Sequence, residues 1–108
     1  MRRDEYLKAF QKQTEIMLEI TTKKNHDYGG DIDPWKNFRT FGLKGILVRM
    51  GDKFSRLHTA IWEEREFKVS ETLIDTLLDL AIYSIIMVCW IKEQQAEANR
   101  VNISRISE

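Results

Sequence analysis

The spacing of hydrophobic residues along the chain predicts three helices. Apolar side chains recur near the helical period at about residues 3–24, 43–64 and 70–99. Residues 25–42 break this period, and they hold three of the five glycines, the only proline and four aromatic residues. No stretch alternates in the way that is typical of a strand. We therefore expect an all-α single domain, residues 1–108, with a long aromatic loop between its first two helices.

The third segment has the strongest apolar character. From Leu80 to Ile91 it is apolar nearly all round, and a helix of this kind is buried on every side. We therefore expect Cys89 to be a buried thiol, and we expect oligomerisation to cover the faces that two neighbouring helices cannot. The run is shorter than the ~20 residues of a membrane-spanning helix, so we interpret it as a core helix.

Composition and charge narrow the classes of protein. Seventeen basic and seventeen acidic residues leave a net charge of +0, which gives no general attraction to nucleic acid or to an anionic membrane. One cysteine excludes an internal disulfide, and the charged N-terminus does not have the apolar core of a signal peptide. We expect a cytoplasmic protein with no membrane partner and no extended nucleic-acid surface.

A row of carboxylates opens the third segment. Glu71, Asp75 and Asp79 follow one another at i, i+4 spacing, which places them on one face of a helix. Acidic residues favour a helix N-terminus, and Ser70 is a suitable N-cap, so a capping role explains Glu71 and Asp75. It does not explain Asp79, which lies more than two turns into the helix among leucines.

A charged stripe runs along one side of the second segment. Arg49, Asp52, Lys53 and Arg56 fall at i, i+3, i+4 and i+7, on what the pattern indicates is the side opposite the apolar face. Arginine binds phosphate in bidentate fashion, and lysine binds it as a point charge. Asp52 and Arg56 also form a favourable i, i+4 ion pair on a solvated face.

Together the two segments offer carboxylates and cations that Mg²⁺ and phosphate would use. The candidate Mg²⁺ ligands are Asp52, Glu71, Asp75 and Asp79. The candidate phosphate ligands are Arg49, Lys53 and Arg56. Two outcomes stay open: a metal–phosphate site, or a structural network in which the cations neutralise the carboxylates directly. No P-loop, dinucleotide-binding or HExxH motif is present.

Three segments in order, KKNHDYGGDIDPWKNF, GILVRMGDKFSRL and SETLIDTLLDLAIYSII, resemble the nucleotide modification associated domain 1 family of small phage and bacterial proteins. That family is in turn similar to the MazG-like all-α NTP pyrophosphatases. The resemblance covers about residues 23–86. It implies a MazG-like bundle of three main helices, an oligomer built on shared helices and a pocket for a nucleoside phosphate.

The resemblance also implies roles for individual residues. In the pyrophosphatases an EExxE motif and a later acidic pair hold Mg²⁺ against the triphosphate. Glu71, Asp75 and Asp79 match the later helix, but the earlier motif reads DKFSR, and only Asp52 keeps a carboxylate. This departure favours direct phosphate binding by Lys53 and Arg56, with one ion or none.

The KNHDYGG stretch adds polar and aromatic candidates. Asparagine and aspartate can read base or ribose edges, and an aromatic ring can stack on a base. The candidates for nucleotide binding are Lys24, Asn25, Asp27 and Tyr28, with Trp35 and Phe38 as pocket walls. A helix C-cap at Asn25, followed by two glycines, explains the same pattern structurally.

Three hypotheses follow for this chain. The first is a cytoplasmic, phage-related, homo-oligomeric protein that binds a nucleotide and hydrolyses it with Mg²⁺, in the manner of a nucleoside triphosphate pyrophosphohydrolase. The second is a non-catalytic binder that sequesters a nucleotide, for example a host immune signal. The third is a helical interaction module without a ligand.

Overall fold

A computed structural model describes residues 1–28, 35–36, 38–65 and 72–107 of the chain. The elements are α1 (Arg3–Tyr28), α2 (Phe38–Leu57), a π-helix (His58–Trp62) and α3 (Leu73–Ser107). Within these residues no strand occurs, so the predicted all-α class is confirmed. The second and third helices begin near the predicted residues, whereas α1 runs four residues and α3 eight residues beyond the predicted ends.

The chain forms two compact units, Met1–Gly45 and Ile46–Glu108. The first unit contains α1 and the beginning of α2. On α1 three of the apolar side chains that recur near the helical period, Tyr6, Leu7 and Phe10, are more than half exposed. Because α1 continues through Tyr28, the predicted loop is shorter than residues 25–42.

A break at Gly42 interrupts α2. Gly42 has φ 60° and ψ −151°, a backbone conformation that side-chain-bearing residues rarely adopt. The regular helix resumes at Leu43, the residue at which the pattern predicts its start. A Cβ atom at Gly45 would meet the Cβ of Phe41, so the turn around the break also depends on a second glycine.

The packed face of α2 differs from the predicted one. Ile46 and Leu57 are buried, and Met50 and Lys53 lie between them at i, i+4, i+7 and i+11. The prediction that Lys53 lies opposite the apolar face is therefore wrong. The sequence offers more apolar positions than one face can hold, and apolar side chains such as Leu47, Phe54, Ile61 and Trp62 are exposed.

The packed face of α3 is narrower than the apolar run predicts. Thr76 and Ile82 are buried, whereas Cys89 is exposed and Ile85 and Val88 are about half exposed. Within one chain the described part of α3 is therefore not buried on every side, and Cys89 is exposed. The oligomer that is expected to cover these faces stays a prediction. The Ile46–Glu108 unit supplies too little partner surface to cover a helix that is apolar all round.

The same helix meets a membrane-span criterion. The segment Leu73–Ile103 is long and apolar enough to cross a membrane by length and composition, and 11% of its apolar window is buried. One helix of this kind is weak evidence about membranes, because core helices of soluble proteins, which are mostly buried, satisfy the same criterion.

The Gly42 conformation gives a stability prediction. Gly42→Ala should lower the free energy of unfolding by roughly 1–3 kcal/mol, because alanine is strained at this φ and ψ. Gly51→Ala is the matched control, since a Cβ there meets nothing within 4 Å. Because Gly51 lies in the helix interior, Gly51→Ala should instead raise the free energy of unfolding by about 0.5–1 kcal/mol. Urea unfolding followed by circular dichroism measures both, and equal effects of the two variants would contradict the strained backbone.

Candidate functional site

An ion pair joins α2 to α3 inside the Ile46–Glu108 unit. Lys53 Nζ lies 2.9 Å from Asp79 Oδ2, and the two side chains are only 15% and 19% exposed. Partly buried charges interact more strongly than exposed ones, because less water screens them. The pair therefore accounts for Asp79, the one carboxylate of the row that helix capping leaves unexplained.

A buried hydroxyl group lies three residues before Asp79 on α3. Thr76 is fully buried, and its Oγ1 donates a hydrogen bond to the carbonyl oxygen of Thr72 at 3.2 Å. Thr76 precedes Asp79 by three residues, so the two lie on neighbouring positions of one helix face. The packed side of α3 thus carries a hydroxyl and a carboxylate among apolar residues.

The N-terminus of α3 is closed by a reciprocal capping box. The N–H of Thr72 donates to Asp75 Oδ2 at 3.2 Å, and the N–H of Asp75 donates to Thr72 Oγ1 at 3.0 Å. The N-cap is therefore Thr72, and the prediction of Ser70 is wrong. Asp75 is exposed, and its carboxylate satisfies a backbone donor that the helix leaves open.

The charged stripe on α2 divides between the packed face and the solvent. Arg56 Nη2 lies 3.3 Å from Asp52 Oδ2, the i, i+4 pair that the spacing predicts. Asp52 is 62% exposed and Arg56 36% exposed. Arg49 is exposed, whereas Lys53 points to α3. The structure thus brings Lys53 to Asp79 and Arg56 to Asp52.

The other predicted nucleotide ligands lie in the first unit. Lys24 is exposed on α1, and the last turn of that helix contains Asn25, Asp27 and Tyr28. The side chains of these last three residues lie outside the described part of the chain, as does Glu71. Their predicted roles stay predictions.

The two aromatic pocket-wall candidates contact each other at the start of α2. The rings of Trp35 and Phe38 are 5.5 Å apart between centroids and meet edge to face, at 69°. The N–H of Arg39 donates to the carbonyl oxygen of Trp35, which begins the first turn of α2. The pair therefore has a structural role at the helix start.

The described carboxylates do not gather into a metal site. Among the residues that the structure describes, no group of three or more His, Cys, Asp or Glu side chains could hold a metal ion. Asp52, Asp75 and Asp79 each accept from, or pair with, a donor of the protein itself. The expected Mg²⁺ therefore depends on Glu71, outside the described residues, or on a rearrangement of these pairs.

The sequence analysis does not identify two residues that the structure shows to be important in this region. Thr72 caps α3, and Thr76 is the only polar residue that is fully buried in the described chain. The Thr-Leu-Ile-Asp order at 72–75 carries the capping signal, a hydroxyl residue followed three positions later by an acid. Nothing in the sequence distinguishes Thr76 from a surface threonine.

The comparisons with protein-family models, curated proteins and solved structures find no match for this chain. The geometry and chemistry of the described residues therefore carry the functional argument.

The Lys53–Asp79 pair gives a prediction about coupling. In a double-mutant cycle with Lys53→Met and Asp79→Asn, we expect a coupling free energy of roughly 1–3 kcal/mol, because the pair is shielded from water. The Asp52–Arg56 pair, which is more exposed than Lys53–Asp79, is changed to Asn and Met as the control and should give about 0.3–0.5 kcal/mol. Chemical unfolding of the seven proteins, with the wild type shared by both cycles, measures both values. Equal coupling free energies in the two cycles would show that partial burial does not strengthen the Lys53–Asp79 interaction.

Proposed function

We propose that this protein binds a nucleotide through its phosphate groups, with Lys53 and Arg56 as the main ligands. The observation that supports the proposal is the position of Lys53, a partly buried lysine whose ammonium meets a carboxylate between two helices. Arg56 follows one turn later on α2 and is only partly exposed. Two cations one turn apart, next to an interior that limits water, suit a phosphate.

Binding would proceed by exchange of anions. A phosphate carries more negative charge than a carboxylate, and it offers several acceptor oxygens to lysine and arginine. As it approaches, it would draw the Lys53 ammonium from Asp79 and the Arg56 guanidinium from Asp52. The two carboxylates would then be released to bind a divalent ion or water. In this proposal the same two cations form the observed ion pairs when no phosphate is bound and bind the phosphate when it is present.

We further propose a MazG-like bundle that is completed by other copies of the chain, as the family resemblance implies. Binding is the part of this function that the described contacts support. Mg²⁺-dependent hydrolysis, with Asp52, Glu71, Asp75 and Asp79 as ligands, stays a prediction from the resemblance. The DKFSR sequence in place of EExxE favours a binder that sequesters its nucleotide.

A specific observation favours a second function, a helical interaction module without a ligand. Each described carboxylate of the proposed site already has a protein partner: Lys53 for Asp79, Arg56 for Asp52, and the Thr72 N–H for Asp75. Pairs of this kind can serve stability alone. A heat-stable oligomer that is indifferent to nucleotides would support this function.

Thermal unfolding against a panel of nucleotides distinguishes these functions. We expect at least one nucleotide to raise the melting temperature, because binding to the native state adds ~2.7 kcal/mol of stability at a hundredfold excess over the dissociation constant. Each nucleotide is tested with and without Mg²⁺ and is then recovered and chromatographed. Intact nucleotide would indicate a binder, and Mg²⁺-dependent degradation a hydrolase. The absence of any shift would contradict nucleotide binding and leave the interaction module.

A further inference from the structure

Asp79 already presents an anion to the lysine that the proposed function assigns to a phosphate. Its Oδ2 atom lies 2.9 Å from Lys53 Nζ, the distance of a charge-assisted hydrogen bond. A carboxylate oxygen and a phosphate oxygen are the same kind of acceptor for an ammonium. In the described state the Asp79 carboxylate therefore makes the contact with Lys53 that a bound phosphate would make.

Partial burial makes this carboxylate an effective competitor. The side chains of Lys53 and Asp79 are 15% and 19% exposed, so little water screens their attraction, whereas Asp52 beside Arg56 is 62% exposed. Asp79 also belongs to the chain, so its local concentration at Lys53 is fixed by the fold. An incoming phosphate thus meets a strong internal partner at Lys53 and a weaker one at Arg56.

Sharing of the ammonium between two anions does not remove the competition. An ammonium has three donors, so Lys53 can contact Asp79 and a phosphate at the same time. The carboxylate and the phosphate would then lie on one ammonium, and like charges at that separation repel strongly where water is scarce. Asp79 therefore opposes phosphate binding whether it is displaced from Lys53 or stays in contact with it.

We propose that Asp79 is an internal competitor that lowers the affinity of the Lys53–Arg56 site for phosphate. This inference rests on the proposed function, and it concerns the regulation of that same site. A ligand with one negative charge, such as a carboxylate or a phosphodiester, would replace Asp79 without an increase in charge at Lys53. A terminal phosphate carries more charge and more acceptor oxygens, so the pair favours ligands with several negative charges.

This role differs from that of a metal ligand in its measurable effect. A carboxylate that holds Mg²⁺ against a phosphate strengthens phosphate binding, and its removal weakens that binding. A carboxylate that competes for the ammonium weakens phosphate binding, and its removal strengthens it. In a buffer free of divalent metal ions only the second effect operates. The sign of the change in affinity after Asp79→Asn therefore tests the role of Asp79.

The test is a calorimetric titration of inorganic tripolyphosphate into folded proteins in metal-free buffer at one low ionic strength. Asp79→Asn should bind at least about fivefold more tightly than the wild type, the lower end of typical coupling between two groups. Most of this increase should disappear in the Lys53→Met background, because the competitor acts through that lysine. A purely structural effect of Asp79→Asn would not depend on Lys53 in this way.

Glu97→Gln is the matched control. It removes the same charge from an ion-paired carboxylate of α3, since Glu97 Oε2 lies 2.6 Å from Arg100 Nη2. Glu97 is 58% exposed and lies about 27 Å farther along the helix than Asp79. Its replacement should leave the affinity for tripolyphosphate unchanged. An equal increase in affinity for Glu97→Gln and Asp79→Asn would indicate a general effect of net charge and overturn the proposal.

The outcomes separate this inference from the proposed function. Binding to the wild type with equal or weaker binding to Asp79→Asn would overturn the competitor role and leave the phosphate site in place. No binding to the wild type or to Asp79→Asn would overturn both. Should Asp79→Asn not fold, carbon-13 NMR of the wild type provides the test. The side-chain carboxyl signal of Asp79 should shift on saturation with tripolyphosphate, and an unchanged signal would overturn the competition.

Discussion

The partly buried pair of Lys53 and Asp79 constrains the whole Ile46–Glu108 unit. Two charges that lose water lose hydration energy, and only close mutual contact offsets that loss. The pair therefore fixes which side of α2 faces which side of α3, and the buried Ile46, Leu57 and Ile82 follow from that choice. A one-residue rotation of either helix would leave a charge without its partner inside the unit.

Periodicity predicts the presence and class of the elements well. The helical class follows from apolar spacing, and the start of regular α2 at Leu43 follows from Gly42, the last glycine of an irregular segment. The same spacing misplaces Lys53, because α2 has apolar residues on more than one side and no single face is distinguished. Cys89 is exposed in one chain for a related reason: apolar character around a helix does not reveal which neighbours, from the same chain or from another copy, cover it.

The candidate site is predictable in its residues but not in its chemistry. Asp79 is conspicuous in the sequence as a carboxylate among leucines, and the structure gives it a lysine partner. Lys53 can stabilise the fold, bind phosphate or do both. Which of these occurs depends on whether its ammonium interacts more favourably with the Asp79 carboxylate or with a phosphate. The sequence identifies the charged side chains, but the structure shows only one set of ion pairs among them. The capping role of Asp75 illustrates the same point, since one carboxylate suits both a helix terminus and a metal.

Direct titration of a nucleoside triphosphate into the wild type and into Lys53→Met, by calorimetry, tests phosphate binding at this pair. Circular dichroism first establishes that the variant is folded, and Lys44→Ala, an exposed lysine outside the site, serves as the control. Loss of one charge-assisted contact of about 1.4 kcal/mol or more raises the dissociation constant at least tenfold. We expect that increase for Lys53→Met and none for Lys44→Ala. Equal affinity in all three proteins would contradict a phosphate site at Lys53 and leave the ion pair as a purely structural contact.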